Sequence, residues 1–243
     1  MSPAAGVDKP LVIAHRGASG AEYENSLAAF RKAGELGADG VELDIHATTD
    51  GALIVHHDPA IGGTVIARAT AADISKLRLP NGEPVPTLAQ AFVAAGPKLR
   101  VYVEVKTLPP QWDGQLFAAI DAGPNPAGYA VHAFDHRIIQ RLRRQRPKLQ
   151  AGVLSASYLD DNVAPVRAAG AQVLWQDQAM IDPALVEEVH DAGFGVIAWT
   201  PNEISDLSRL AAQGVNGLCT NYPDRARRVV DGLKRRHPTP AGK

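Results

Sequence analysis

Short apolar runs recur along the whole chain, and longer segments of mixed polarity separate them. A continuous apolar run bounded by turn residues is typical of a strand that is buried on both faces of a parallel sheet. The pattern predicts eight such strands, at Leu11–Ala14, Val41–Ile45, Val101–Val105, Tyr129–Ala133, Ala151–Leu154, Gln172–Trp175, Gly195–Trp199 and Gly217–Cys219.

Several segments between the strands have the apolar spacing of amphipathic helices. The clearest are Ser26–Leu36, His136–Arg146, Pro183–Ala192 and Glu203–Gln213. Asn25 and Asp182 stand where an N-cap residue is expected, and Pro183 takes the first helical position after Asp182. Gly37 and Gly214 follow their helices as stop residues.

Strands that alternate with helices predict a parallel sheet with right-handed connections. Eight is the number of strands that closes a TIM (β/α)8 barrel, so we predict an α/β fold of this kind. A doubly wound open sheet is the structural alternative. We predict a single domain over residues 1–243.

The interval 47–86 is too long for one ordinary connection between a strand and a helix. It contains the hairpin signal Asp50-Gly51, followed by Ala52–His56 as an extra strand. A short helix is predicted near Ala71–Leu77. We therefore predict a small inserted subdomain at about residues 47–86, after the second barrel strand.

Composition and charge exclude several classes of protein. The 243 residues are 45% hydrophobic and 21% charged with a net charge of −1, so we expect no nucleic-acid partner. No apolar run approaches the ~20 residues of a membrane span, so no stable membrane insertion is expected. The first ten residues lack a basic start followed by an apolar run, which favours the cytoplasm. The sequence leaves the oligomeric state open.

The strands with alternating carboxylates are the most informative part of the pattern. In Val41–Ile45 the apolar residues share one face, and Glu42 and Asp44 share the other. In Val101–Lys106 the valines lie opposite Glu104 and Lys106. If the aliphatic faces pack on helices, all three carboxylates project into the barrel.

Three carboxylates in one interior require compensating positive charge. A divalent cation bound only by oxygen would supply it, and Mg²⁺ or Ca²⁺ suits such ligands. Interior ion pairs with Lys106 and Arg16 are the alternative explanation, and strand alternation leaves both open.

Two further groups lie at predicted strand ends. His15-Arg16-Gly17 follows the first strand, where Gly17 allows a turn and Arg16 offers a planar charged fork for phosphate oxygens. His57 follows the extra strand. Hydrolysis of a phosphodiester needs a general base and a general acid, and two histidines can fill both roles near neutral pH.

These motifs, in this order, resemble the glycerophosphodiester phosphodiesterase family. The resemblance covers about residues 11–223 and rests on an ordered set of motifs rather than on any single one. The set comprises His15-Arg16-Gly17, Glu24-Asn25-Ser26, Gly37–Asp44, Thr49-Asp50-Gly51, His57-Asp58, Glu104-Val105-Lys106, Ala198-Trp199-Thr200, Gly214–Gly217 and Thr220–Pro223.

The resemblance implies a TIM barrel with a small insertion and the hydrolysis of glycerophosphodiesters to glycerol 3-phosphate and an alcohol. The small-molecule substrates would include glycerophosphocholine and glycerophosphoethanolamine. The roles it implies are one divalent metal on Glu42, Asp44 and Glu104, an acid–base pair of His15 and His57, and phosphate contacts from Arg16 and Lys106. Trp199 is expected to line the substrate pocket.

The chain departs from the family pattern at two positions. His132 stands where the family usually carries serine, and we favour a satisfied structural histidine over an extra group in the pocket. Asn221 replaces the usual Asp, which we expect to change a local hydrogen bond rather than the catalytic groups. His46 is a candidate for supporting the site, whereas strand alternation directs His56 away from it.

Three other functions are weighed against this one. A lysophospholipase D-type enzyme would use the same barrel, although no long apolar stretch suggests an acyl-chain site. A phosphatidylinositol phospholipase C-like enzyme fits Glu104 and Lys106 less well. A non-enzymatic binding module would be expected to lack a metal ligand or a histidine, and this chain keeps them all. Which histidine is the base, and whether water or the glycerol 2-hydroxyl attacks, stays open.

Overall fold

Eight parallel strands close into a barrel in the structure, a computed structural model that describes residues 9–233. The barrel strands, in their order around the sheet, are β1, β11, β10, β9, β8, β7, β6 and β2, and β1 also pairs with β2. The strand bounds are β1 Leu11–Ala14, β2 Gly40–Ala47, β3 Leu53–Val55, β4 Ala60–Ile61, β5 Thr64–Val65, β6 Arg100–Thr107, β7 Tyr129–Ala133, β8 Gln150–Ser155, β9 Val173–Asp177, β10 Gly195–Trp199 and β11 Gly217–Thr220. The β1–β2 pairing confirms the TIM barrel and excludes the open sheet.

The helices lie outside the barrel or in its connections. Their bounds are α1 Leu27–Glu35, α2 Ala71–Ile74, α3 Leu88–Ala95, α4 Asp113–Ala122, α5 His136–Gln145, α6 Ala164–Ala169, α7 Pro183–Asp191, α8 Ile204–Gln213 and α9 Pro223–Gly232. Within residues 9–233, no helix has the length and apolar surface needed to cross a membrane.

The N-cap prediction is confirmed for Asp182 and wrong for Asn25. Asp182 accepts a hydrogen bond from the backbone N–H of Leu185. At α1 the cap is instead Ser26, whose hydroxyl accepts from the Ala29 backbone N–H at 3.0 Å. Asn25 turns its side chain to a different partner in the barrel interior, described below.

Side chains alternate between the barrel interior and the layer of helices. Six side chains form an apolar group inside the barrel: Ile13, Tyr102, Leu154, Trp175, Ile197 and Cys219. Their strand neighbours pack outward in the main core, among them Val12, Val41, Leu43, Val101, Val103, Val153, Val196 and Leu218. Each fully buried aliphatic side chain contributes about 1.5–3 kcal/mol, so this alternation sets which face of β2 and β6 points inward.

The connection between β2 and α3 contains β3, β4, β5 and α2. β3 continues the sheet as an antiparallel neighbour of β2, with Ile45 opposite Val55. The segment encloses a small apolar group of its own, formed by Ile54, Ile61, Ile66, Ala69, Ile74, Leu79 and Val85. The division of the chain into one domain with an insertion at 47–86 stays a prediction.

The turn after β1 requires glycine for two separate reasons. Gly17 has a φ of +78°, and a Cβ there would lie 2.7 Å from the backbone carbonyl carbon of Ala29 in α1. Gly63 has a similar φ of +85° with no atom within 4 Å of its Cβ position. The two positions therefore separate backbone strain from steric overlap.

We expect Gly17→Ala to destabilise the protein more than Gly63→Ala does. The left-handed backbone costs both variants about 1–2 kcal/mol, whereas overlap with Ala29 adds about 1–3 kcal/mol for Gly17→Ala alone. Denaturant unfolding of both variants measures the difference. Equal losses of unfolding free energy would show that α1 moves away from the turn at no cost.

Candidate active site

A cavity of about 80 Å³ opens at the carboxyl ends of the barrel strands. It is lined by His15, Arg16, Glu42, His57, Glu104, Lys106, His132, Phe134, Leu154, Trp175, Trp199 and Cys219. A second cavity of about 110 Å³ lies at the opposite end of the barrel, where neither a carboxylate nor a histidine lines it. Trp175 borders both cavities, and the buried carboxylates and histidines lie at the upper one.

Adjacent strands place three ionisable residues side by side. Asp44 on β2 is the register partner of Glu104 on β6, and Glu104 is in turn the partner of His132 on β7. Glu42 lies two residues before Asp44 on the same face of β2. All four side chains are buried. For the three carboxylates, the alternation of side chains along β2 and β6 predicts this.

Asp44 is surrounded by positive charge and donors. Lys106 Nζ lies 3.2 Å from its Oδ1, Arg16 Nε lies 3.4 Å from its Oδ2, and the Asn25 amide donates to Oδ2 at 2.8 Å. Burial alone would raise the pKa of this carboxyl. Lys106, Arg16 and the hydrogen bond from Asn25 outweigh burial and lower its pKa to about 2.

For Glu42 and Glu104, burial and repulsion from Asp44 outweigh the nearby positive charge. Burial, with the charge of Asp44 added, raises the pKa of Glu104 to about 7 and the pKa of Glu42 well above its usual value. Glu42 Oε2 accepts from the Arg16 backbone N–H at 3.0 Å, whereas its buried Oε1 has no hydrogen-bond partner. Lys106 Nζ contacts Glu104 Oε1 at 2.7 Å.

The fixed positive charges do not balance this interior, because Arg16 is shared. Its Nη1 also binds both oxygens of Glu24, at 3.0 and 2.9 Å. Among the described residues, Glu42, Glu104 and His132 offer ligand atoms that all lie within 4.8 Å of one another. The unpartnered Glu42 Oε1 and the buried carboxylate set therefore suit a divalent cation.

His15 is held at the end of β1 by a neighbour that follows β11. Its Nδ1 lies 2.7 Å from Asn221 Oδ1, so the ring donates there and Nε2 is left facing Glu42 Oε2 at 4.0 Å. Burial and the Arg16 guanidinium lower the pKa of His15 to about 4. The imidazole is neutral near pH 7. Because Asn221 contacts His15 directly, this departure from the family pattern concerns a predicted catalytic residue, contrary to our expectation.

His57 approaches the cavity from the loop after β3. Its Nδ1 lies 2.8 Å from the carboxylate of Asp58. The neighbouring strand supports this loop, since His46 Nε2 donates to the His57 carbonyl at 3.1 Å and Thr107 lies 3.1 Å from His46 Nδ1. His46 thus holds the backbone of His57 in place, and His56 does not line the cavity.

His132 lies inside the site rather than in a separate structural network. Its ring stacks on Trp175 with centroids 4.1 Å apart and planes 6° apart. Its Nδ1 is buried without a hydrogen-bond partner, and Nε2 lies 3.8 Å from Glu42 Oε1. The interpretation as a satisfied histidine is therefore wrong. Burial lowers the pKa of this ring to about 3, so the imidazole is neutral.

A model of the glycerophosphoryl diester phosphodiesterase family matches residues 15–225. The chain belongs to this family. It is 33% identical, over 89% of its length, to 96% of a glycerophosphodiester phosphodiesterase of Caldanaerobacter subterraneus subsp. tengcongensis.

Solved structures share the fold. A glycerophosphodiester phosphodiesterase from Parabacteroides distasonis superposes with a TM-score of 0.84 at 24% identity, covering 93% of this chain and 98% of that one. An Oleispira antarctica phosphodiesterase, solved with the product sn-glycerol-3-phosphate, superposes with a TM-score of 0.85 at 22% identity, covering 92% and 98%.

The structure brings together every residue predicted for the site of this family member. Arg16, Lys106 and Trp199 line the cavity with the two histidines, and the ring of Phe134 meets that of Trp199 edge-on at 5.7 Å. Sequence reasoning missed how Glu24 and Asn25 contribute, although it recognised the motif that contains them. It also missed Trp175, for which a strand position was the only signal.

We expect opposite changes in the pKa of His15 from two substitutions of Asn221. Asn221→Asp adds a negative charge beside Nδ1, which stabilises the imidazolium and raises the pKa above about 4. Asn221→Ala removes a hydrogen bond that favours the charged form, so it lowers the pKa. NMR titration of the His15 ring measures both. An unchanged pKa in Asn221→Asp would contradict the 2.7 Å contact.

Proposed function

We propose that this protein hydrolyses glycerophosphodiesters to glycerol 3-phosphate and an alcohol. The observation that carries the proposal is the single cavity in which buried carboxylates, two cationic side chains and three histidines converge. Membership of the family supports the same reaction. Glycerophosphocholine and glycerophosphoethanolamine are the proposed substrates, and the cytoplasm is the proposed location.

The proposed metal site uses Glu42, Asp44 and Glu104 as oxygen ligands. The unpartnered Oε1 of Glu42 and the raised pKa values of Glu42 and Glu104 support it, because a cation would relieve the repulsion among these groups. Mg²⁺ and Ca²⁺ are the ions that such ligands suit. When bound, the ion supplies Lewis-acid stabilisation of charge on the phosphoryl oxygens.

Arg16 and Lys106 are the proposed phosphate contacts. Both line the cavity and both are already partly neutralised by carboxylates, Arg16 by Glu24 and Lys106 by Glu104. Their charges hold the phosphodiester in place and stabilise the negative charge that develops on it during hydrolysis.

We assign the base to His15 and the acid to His57. The neutral His15 ring donates from Nδ1 to Asn221, which leaves the Nε2 lone pair free to take a proton from the nucleophile. His57 Nδ1 lies 2.8 Å from the Asp58 carboxylate, which orients the ring for its proposed role as proton donor to the departing alkoxide. Asn221 carries no charge, so its hydrogen bond favours a protonated His15 ring less than a carboxylate there would.

A second candidate substrate class is supported by the rim of the cavity. Exposed apolar side chains follow four consecutive barrel strands at this end of the molecule: Phe134 after β7, Tyr158 and Leu159 after β8, Met180 after β9 and Ile204 after β10. Such a rim could contact an acyl chain, so lysophospholipids belong among the substrates to be tested.

The purified protein is expected to release glycerol 3-phosphate and choline from glycerophosphocholine only when a divalent cation is present. Exhaustive chelation should abolish turnover, and added Mg²⁺ or Ca²⁺ should restore it. Glu42→Gln removes one ligand charge, so it should require more metal for the same rate. Choline released from lysophosphatidylcholine tests the second candidate. Full turnover by metal-free protein would refute the metal requirement. Failure to release glycerol 3-phosphate from substrates with any of the head groups would refute the function.

The two histidine variants should differ in how the leaving group affects them. Loss of a positioned acid or base costs about 10²–10⁴-fold in rate, so His15→Ala and His57→Ala should both be slow on glycerophosphocholine. A nitrophenol leaving group needs no general acid and should rescue His57→Ala alone. His190→Ala, on outer helix α7, serves as the control. Rescue of His15→Ala instead would reverse the assignment.

A further inference from the structure

We propose that His132 is a nitrogen ligand of the metal site, so that this protein prefers cations that accept imidazole over Mg²⁺ and Ca²⁺. The inference rests on the proposed metal site and extends it. It concerns a residue at which the chain departs from its family, and it predicts a different order of metal affinities from that of an oxygen-only site.

Strand register places His132 in the ring of ligands. It is the direct neighbour of Glu104, which is itself the neighbour of Asp44. Its Nε2 lies 3.8 Å from Glu42 Oε1, and the ligand atoms of Glu42, Glu104 and His132 all lie within 4.8 Å of one another. Two ligands on opposite sides of one ion at 2.0–2.2 Å are about 4.2 Å apart, so a single ion can reach all three residues after only small movements.

The hydrogen bonding of the site leaves one of the proposed ligand atoms, Glu42 Oε1, without a partner. Among the buried side-chain atoms of the described residues, Glu42 Oε1 and His132 Nδ1 lack a hydrogen-bond partner. Asp44, in contrast, is already bound by Lys106, Arg16 and Asn25. A buried polar atom without a partner is costly, and a cation bound to Glu42 Oε1 would remove that cost for this atom.

The orientation of the His132 ring is fixed by packing. Trp175 stacks on it almost parallel, with 6° between the planes. Trp175 can lie there because the register partner of His132 on β8 is Gly152. A Cβ on Gly152 would lie 2.6 Å from Trp175 Cδ1, so any larger residue would displace the indole. A glycine and a tryptophan thus hold the imidazole edge-on to the two glutamates.

A nitrogen ligand changes which metals bind. Oxygen-only sites suit Mg²⁺ and Ca²⁺, whereas imidazole favours Co²⁺, Ni²⁺ and Zn²⁺. Serine, the usual family residue here, offers no such nitrogen. We therefore expect His132 to raise the affinity for Co²⁺ and Zn²⁺ far more than the affinity for Ca²⁺.

Metal binding to the metal-free protein tests this without an activity assay. Calorimetry would measure the affinities for Ca²⁺, Mg²⁺, Co²⁺ and Zn²⁺ in the wild type, His132→Ser and His132→Gln. His132→Gln keeps most of the volume and offers an oxygen, so it separates loss of nitrogen from loss of packing. Electron spin-echo spectroscopy of bound Mn²⁺ would detect coupling to a ligand nitrogen directly. His190→Gln, on an outer helix, is the matched histidine control.

We expect the Co²⁺ and Zn²⁺ affinities to fall by about 10–100-fold in His132→Gln, which is the loss typical of disrupted metal-site residues. The Ca²⁺ affinity should change by a smaller factor, and the nitrogen coupling attributable to His132 should disappear. His190→Gln should match the wild type. If His132→Ser does not fold, His132→Gln decides the result.

Two outcomes would overturn the proposal: no nitrogen coupling to Mn²⁺ in the wild type, or the same coupling and the same ratio of Co²⁺ to Ca²⁺ affinity in His132→Gln. Neither depends on turnover. Hydrolysis of glycerophosphodiesters without nitrogen coupling would leave the proposed function intact and remove His132 from the ligand set. Nitrogen coupling without hydrolysis would support His132 as a ligand and contradict the proposed function.

Discussion

The structure depends on compensating the charge of three carboxylates that β2 and β6 direct into a buried barrel interior. Arg16 and Lys106 suffice for Asp44, whose pKa falls to about 2, but not for Glu42 and Glu104, whose pKa values rise. This inequality among neighbouring carboxyl groups supports the proposed cation site over a closed ion-pair network. In that site, a bound cation would relieve charge repulsion mainly at the two glutamates.

The three carboxylates lie at one end of the barrel, and apolar side chains fill the interior below them. Trp175 and the apolar side chains packed around it lie between the two cavities. Packing against α1 holds the turn at Gly17 in place. This turn directs the backbone N–H of Arg16 toward Glu42, to which it donates a hydrogen bond. The polar groups are therefore fixed by elements that are themselves packed in the main core.

Two departures from the family pattern affect histidines that line this pocket. Asn221 leaves the His15 ring without a charged partner, and His132 introduces a nitrogen beside Glu42. Asn221 contacts His15, whose Nε2 lies 4.0 Å from Glu42 Oε2, whereas His132 Nε2 lies 3.8 Å from Glu42 Oε1. The exposed apolar rim, in contrast, concerns the alcohol part of the substrate. Chemistry and substrate preference can thus vary separately on one barrel.

The sequence by itself predicted the barrel, the inward direction of Glu42, Asp44 and Glu104, and the histidines and cationic side chains proposed for the site, because strand alternation and strand ends are local properties. It could not place Asn25, which is a residue type common at N-caps but donates to Asp44 on the strand next to β1. It also failed for Asn221 and His132, because their contacts join residues 206 and 90 positions apart, as in Asn221 with His15 and His132 with Glu42. Only closure of the β1–β2 seam and the stagger of the strands decide which side chains meet, since both are set by packing of the whole sheet.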